Sequence, residues 1–320
     1  MSTEPPPTAA GYTAPTSTDG EFLRKDSQLR NRVSADGSTP FPAEAGRYHL
    51  YVSLACPWAH RTVIMRRIKG LEDVTGLSVV DPIRDERGWA FRDVPGAGPD
   101  PVNGFTFLSQ AYTATVPDYD GNVTVPVLWD TKTGQIVNNE SSEIIRMLNS
   151  EFTAFTDDRT DYYPEDLRAE IDRINERVYP TVNNGVYRCG FASTQRAYDR
   201  AFGELFDSLD WLEGLLAERR YLTGPRITEA DWRLFTTLIR FDAVYVGHFK
   251  CNRNRIADMP NLAGYLRELY QWPGVAETVD FDHIKRHYYV THRALNPRGI
   301  VPLGPRLDLE SPPGREGIGA

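Results

Sequence analysis

Cysteine is scarce in this chain: three residues in 320, at Cys56, Cys189 and Cys251. So few cysteines make no disulfide framework, and no two of them have the spacing of a redox dithiol. No apolar run is long enough to cross a bilayer, which argues against a membrane partner. No basic run stands out against a net charge of −8, which argues against a nucleic-acid partner. Residues 1–20 are rich in Pro, Thr and Ala and lack the apolar core of a secretory signal, so a cytoplasmic protein is expected. No internal repeat is visible. What is present is an ordinary soluble composition, 40% hydrophobic and 25% charged, on a length suited to two domains.

The most informative residue is Cys56. It follows the apolar stretch Tyr48-His49-Leu50-Tyr51-Val52 and precedes Pro57. Val63, Ile64 and Ile68 then continue a helical pattern up to Gly70. Proline at a first helical position and glycine past the end mark a short helix, so Cys56 falls where a strand turns into a helix N-terminus. Unpaired N–H groups and the helix dipole favour a thiolate there, so the thiol pKa is expected to fall and the sulfur to act as a nucleophile. The competing reading is a small buried core residue. Position 59, where a dithiol centre would carry its second sulfur, is Ala. A mixed disulfide on Cys56 therefore needs an outside thiol to release it.

The rest of the chain divides into four parts. Residues 1–45 read as a flexible arm, pinned in part by Phe22 and Leu23. Residues 46–155 read as an α/β domain: strand, helix and strand over 46–80, and a long Gly-, Pro- and Asp-rich stretch with a short helix near 107–114. A hairpin then turns at 132–134, and a helix is capped by Ser141 or Ser142. Pro126 inside the first hairpin strand suits an edge or a cis bond. Residues 156–295 are helical throughout. Leu167, Ile171, Ile174 and Val178 share one helix face, and Leu205, Leu209, Leu212 and Leu216 another. Leu262, Leu266 and Leu269 mark one more helix, and Thr228 with Asp231 has capping-box spacing. Residues 296–320 form a Pro- and Gly-rich tail expected to wrap the surface or move.

This order of elements, with a nucleophile at the first strand–helix turn, a Val-Pro strand and a Glu-Ser turn, resembles a glutathione transferase. Five motifs narrow the resemblance: Cys-Pro-Trp-Ala-His-Arg at 56–61, Thr-Val-Pro-Val-Leu-Trp-Asp at 124–130, Asn-Glu-Ser-Ser-Glu-Ile-Ile-Arg-Met at 139–147, Asn-Asn-Gly-Val-Tyr at 183–187 and His-Ile-Lys-Arg-His-Tyr-Tyr at 283–289. Together they are similar to the Xi class, the glutathionyl-hydroquinone reductases. The resemblance implies an α/β thioredoxin-like domain followed by an all-α domain, glutathione as co-substrate, no metal, glutathionylated quinones or hydroquinones as substrates, and a homodimer. It implies Cys56 as nucleophile and Tyr187 and Tyr288 as site tyrosines, with Tyr289 their neighbour. Trp89, in the long stretch, is expected to stack on glutathione or cover the site, the competing reading being a loop anchor. Val125, before Pro126, would offer backbone groups to the cysteinyl part of glutathione. Glu140 and Ser141, at a helix N-terminus, would hold its zwitterionic γ-glutamyl end. One departure stands out. The family often has a basic residue where this chain has Asn122, so a charge contact to the tripeptide's carboxylate is absent or comes from elsewhere.

Attack by Cys56 on a sulfur joined to an aromatic ring would expel an aryl carbanion, a very poor leaving group. If the hydroquinone first takes its keto tautomer, the leaving group is a stabilised enolate, and phenols near the ring can drive that tautomerisation as general acids. The alternative is an omega-like thioltransferase or dehydroascorbate reductase using the same Cys56. A third reading is a non-catalytic assembly module. Arg61 is a candidate support for the thiolate or a plain salt-bridge residue. His283 and His287 have the i, i+4 spacing of metal ligands, but the zincin Glu is missing and no third ligand is evident, so ordinary helix residues are preferred. Cys189 and Cys251 read as packing residues, as do Trp211, Trp232 and Trp272.

Overall fold

The computed structural model describes residues 14–319; the first part of the expected arm, residues 1–13, lies outside them. A small parallel pair, β1 (Val33–Ser34) and β2 (Phe41–Pro42), precedes the main sheet. The sheet is built from β3 (Tyr48–Val52), β4 (Thr75–Val79), β5 (Val127–Asp130) and β6 (Gln135–Asn138), in the order β4-β3-β5-β6. β3 runs parallel to β4 and antiparallel to β5, and β5 and β6 form the expected hairpin. All five residues of β3 are buried, as a strand flanked on both sides and covered by helices must be.

α1 (Pro57–Ile68) links β3 to β4, and Gly70 takes φ +61° just past its end, a conformation that favours glycine. α2 (Ser109–Thr115) lies in the long 81–121 connection, and α3 (Ser141–Ser150) follows β6 and packs on α1. The cap of α3 is neither serine: Glu140 is the N-cap and its carboxylate accepts from Ser142 N–H at 3.0 Å. A carboxylate suits that end as well as a hydroxyl does, because it also meets the positive end of the helix dipole.

The helical part comprises α4 (Arg168–Val178), α5 (Gly185–Gly190), α6 (Gln195–Glu218), α7 (Glu229–Arg240), α8 (Val246–His248), α9 (Pro260–Tyr270) and α10 (Phe281–Arg286). Ile171, Ile174 and Val178 are buried on α4; Leu167 lies in a separate 3-10 turn before it and is half-buried. Leu205, Leu209, Leu212 and Leu216 are buried on α6, and the Thr228–Asp231 capping box opens α7. α7 packs against α1, joining the helical part to the sheet beside Cys56.

The C-terminal tail wraps the body, one of the two behaviours expected of it, and the arm is pinned by Phe22 alone. Residues 14–31 lie against the body: Phe22 is buried, whereas Leu23 is 49% exposed and pins nothing. In the tail, Arg315 is buried and donates to the carbonyls of Leu216 (3.1 Å), Arg219 (2.8 Å) and Arg220 (2.9 Å). It thereby satisfies acceptors left open at the end of α6. No helix among the described residues is long and apolar enough to cross a membrane.

Candidate active site

Cys56 is the N-cap of α1, with extended backbone angles (φ −79°, ψ 121°) and Pro57 as the first helical residue. This geometry sets the sulfur at the α1 N-terminus, beside the N–H groups of the first turn but without a cap hydrogen bond to them. On its other side the sulfur is 3.7 Å from the carbonyl oxygen of Val125, whose peptide bond to Pro126 is cis. The thiol is half-buried. Burial pushes its pKa up; the Ala59 and Trp58 N–H groups and the guanidiniums of Arg240 and Arg24 pull it back without cancelling the rise. The expected lowering is thus corrected. A helix terminus does favour the thiolate, but the helical domain and the arm remove water from around the sulfur, and that desolvation is the larger effect.

A cavity of about 480 Å³ opens at Cys56. Every sequence-predicted site residue lines it except Tyr288: Cys56, Trp89, Val125, Pro126, Glu140, Ser141 and Tyr187. Tyr288 stands directly behind, its hydroxyl 2.5 Å from that of Tyr187. The Tyr245 hydroxyl is 3.0 Å from Tyr288, making a chain of three buried phenols. Burial keeps all three neutral, with Tyr187 and Tyr288 well above the usual phenol range and Tyr245 pushed to about 12. They are therefore proton donors throughout the physiological range. Tyr289 does not join them; its hydroxyl faces the Ala243 carbonyl at 3.5 Å.

At the other end of the cavity, burial opposes the charge of Glu140. The N–H and hydroxyl of Ser142, with Arg61 and the Ser27 hydroxyl, nevertheless hold its carboxyl below the usual range. The Ser141 hydroxyl accepts from Arg61 at 3.3 Å, and Arg61 also donates to Asn183 Oδ1 at 3.1 Å while lying 4.6 Å over the Trp58 ring. Burial lowers the Arg61 pKa to about 9. Arg61 thus serves the Glu140–Ser141 end rather than the sulfur.

Trp89 stacks on the His287 ring at 5.0 Å, with the Arg84 guanidinium 5.1 Å from the indole. His287 Nδ1 donates to the Pro82 carbonyl at 2.7 Å, and His283 Nε2 to that of Pro95 at 2.7 Å. These two histidines clamp the long 81–121 connection to the C-terminal helix. Among the described residues no group of three or more metal-ligating side chains forms.

Three contributors escaped the sequence reading. Arg24, in the arm, lies 4.7 Å from the Trp58 ring and 5.1 Å from the Tyr187 ring while donating to Asn184 Oδ1 at 2.7 Å. Trp58 itself stacks near Tyr187, at 6.4 Å and 28°. Tyr245 completes the phenol chain. The Phe22-Leu23-Arg24 triplet, an aromatic beside a cation, was a faint signal of docking; one tyrosine among 16 gave none.

Two family models match: glutathione S-transferase, N-terminal domain, over residues 55–151, and glutathione S-transferase, C-terminal domain, over residues 195–268. The glutathionyl-hydroquinone reductase YqjG of Escherichia coli (strain K12) is 54% identical over 307 residues, covering 94% of each chain. The glutathionyl-hydroquinone reductase PcpF of Sphingobium chlorophenolicum is 54% identical over 293 residues, covering 92% of each. The glutathione-bound structure of YqjG superposes with a TM-score of 0.89 over 91% of this chain and 96% of that one. The Xi class transferase of Natrialba magadii, 48% identical, gives 0.89 over 95% and 98%. With its thioredoxin-like sheet, its helical domain and a lone cysteine at the first strand–helix turn, this chain belongs to the Xi class of the glutathione S-transferase family.

Proposed function

We propose that this protein reduces S-glutathionyl-hydroquinones to hydroquinones, consuming one glutathione per turnover. The observation that carries the reading is a chain of three neutral phenols meeting a thiol that has no second cysteine beside it, in a cavity with a built anion- and ammonium-binding end. The glutathionyl part lies with its γ-glutamyl ammonium on Glu140 and its α-carboxylate on the Ser141 hydroxyl and the α3 N-terminus. Val125 meets its cysteinyl backbone, and the aromatic part faces Tyr187.

Tyr187 donates a proton to the ring carbon that bears sulfur, the ring hydroxyl gives up its own proton to restore the phenol, and the hydroquinone becomes its keto tautomer; Tyr288 and Tyr245 stand behind as the proton relay. The Cys56 thiolate attacks the glutathionyl sulfur. The S–S bond forms, the C–S bond breaks, and the bonding pair passes into the ring as an enolate that regains aromaticity and is protonated to the hydroquinone. A second glutathione thiolate then attacks the glutathione sulfur of the mixed disulfide. Glutathione disulfide leaves and the Cys56 thiolate is restored. Two electrons thus reach the ring, and two glutathionyl sulfurs are oxidised to one disulfide.

The E. coli and Sphingobium relatives, named for this activity, support the assignment. The test is mass spectrometry of the protein after stoichiometric mixing with a glutathionylated hydroquinone and no free glutathione. The expected result is a glutathione adduct on Cys56 with one equivalent of hydroquinone released. Turnover that persists in Cys56→Ser refutes the scheme.

A further inference from the structure

Arg240, the last residue of α7, reaches from the helical domain into the turn that carries Cys56, and it is fully buried. Its Nε donates to the Ala55 carbonyl at 2.9 Å, and one terminal nitrogen donates to the Leu54 carbonyl at 2.8 Å. The other terminal nitrogen lies 2.8 Å from the Thr236 carbonyl and 3.0 Å from His60 Nδ1. The protonation of that histidine follows from its far side. Thr278 Oγ1 donates to the Val275 carbonyl at 2.6 Å, so it accepts from His60 Nε2–H at 2.8 Å. The Nδ1 lone pair is then left for Arg240.

All four partners are therefore neutral, and among the described residues Arg240 takes part in no ion pair. A fully buried cation is expensive to keep without a carboxylate. Holding two carbonyls is a task that neutral donors can do. What a neutral donor cannot supply is a positive charge one residue from a sulfur that must become negative.

We propose that Arg240 is a positioning residue of the reaction: its fork holds the Leu54–Ala55 turn that aims the Cys56 sulfur, and its unmatched charge is the resident counter-ion of the thiolate formed there. This inference rests on the reading of Cys56 as the nucleophile. The other charged or titratable groups around the sulfur and its cavity are Arg24, Lys25 and Asp26 from the arm, Arg84 from the long connection, Tyr179 and Tyr187 from α5 and the turn before it, Tyr245 after α7, and His287, Tyr288 and His292 after α10, with Glu140 and Arg61 at the far end. The three phenols of the chain are neutral. Arg24 is exposed, so salt screens it, whereas the buried Arg240 keeps its field. The same charge lowers the thiol of Cys56 and the phenols of Tyr245 and Tyr288, so it acts on both reacting ends of the cavity.

The experiment reads the rate of iodoacetamide alkylation of Cys56 against pH in the intact protein, beside the kinetics of hydroquinone reduction. Arg240→Gln should raise the alkylation midpoint by about one pH unit or more. Arg240→Lys keeps the charge and loses the fork. Its midpoint should stay within about 0.3 pH units of the parent, while kcat falls about tenfold or more at unchanged KM for glutathione. Arg24→Gln should give a smaller shift that vanishes in roughly 0.5 M salt.

If Arg240→Gln is not recovered folded, His60→Asp decides. It sets a carboxylate beside the guanidinium and cancels the charge with the fork intact, and it should raise the midpoint in the same way. An unmoved midpoint in Arg240→Gln or His60→Asp overturns the proposal, and so does a rise in Arg240→Lys equal to that in Arg240→Gln. A parent protein whose Cys56 is not alkylated at any pH strikes the proposed function instead.

Discussion

Tyr187→Phe separates the two halves of the proposed chemistry. The Tyr187 hydroxyl is the phenol of the three-member chain that lines the cavity, and Tyr288 stands 2.5 Å behind it. Removing one oxygen deletes the direct donor to the ring carbon and leaves the thiol, its helix terminus and the Glu140–Ser141 end untouched. A positioned general acid contributes on the order of 10²–10⁴ in rate. The lower end applies here, because Tyr288 remains in place to donate through a water, so about 100-fold is expected, or roughly 2.7 kcal/mol of transition-state stabilisation. The cost to folding is smaller. Tyr288 keeps its bond to Tyr245 at 3.0 Å, so the variant loses one buried hydroxyl bond, about 1 kcal/mol. The assay compares two substrates of the same enzyme: a glutathionylated hydroquinone and a mixed disulfide of glutathione with an aliphatic thiol. The second needs no carbon protonation, so its rate should fall less than about threefold. Equal losses on both substrates, or no loss on either, refute the assignment of Tyr187 as the ring's proton donor.

Ala59→Cys restores a two-residue spacing to the N-cap thiol, and mild oxidation should close a disulfide with Cys56, read as the loss of two titratable thiols; an oxidised protein that keeps both contradicts the placement of the α1 first turn. Burial pushes His248 to about 4 and His287 to about 3, whereas both titrate near 6.5 in the unfolded chain. Between those values the unfolded state binds protons that the native state refuses, so the melting temperature should drop as pH falls from about 6.5 toward 4. His248→Gln should make that drop shallower, and an unchanged slope would count against the buried neutral imidazole. Arg315→Ala strands the α6 carbonyls and should cost about 1–3 kcal/mol in thermal or denaturant unfolding, with earlier proteolysis of the tail and normal turnover; undiminished stability would show that the tail is not held by this side chain.

Much of the fold was legible because its signals are local. Proline after Cys56 and glycine at position 70 bracket α1, the Thr228–Asp231 box opens α7, and leucines at helical spacing bury one side of α6. Seven of the eight proposed site residues were read the same way, from motifs of a few residues each; Trp89 came from the long connection, outside any motif. What escaped depends on contacts between distant segments. Arg24 belongs to a stretch without periodicity, and only its meeting with Trp58, Tyr187 and Asn184 gives it a place. Tyr245 and Arg240 lie on an almost wholly buried helix and its extension, where a polar residue looks like any other until its partners are known. The thiol was misjudged for the same reason. The helix terminus is visible in sequence, but the desolvation that outweighs it comes from surfaces encoded elsewhere. At residue 140 the two adjacent serines drew attention from the glutamate that caps the helix.

The cavity has a further consequence. Its walls draw on Arg24 from the arm and His287 after α10 as well as on the first strand–helix turn that carries the sulfur. Loosening either distant segment would admit water to the thiol and weaken the desolvation that raises its pKa. The guarded state of the nucleophile is therefore a property of the assembled chain and not of the short motif that holds it.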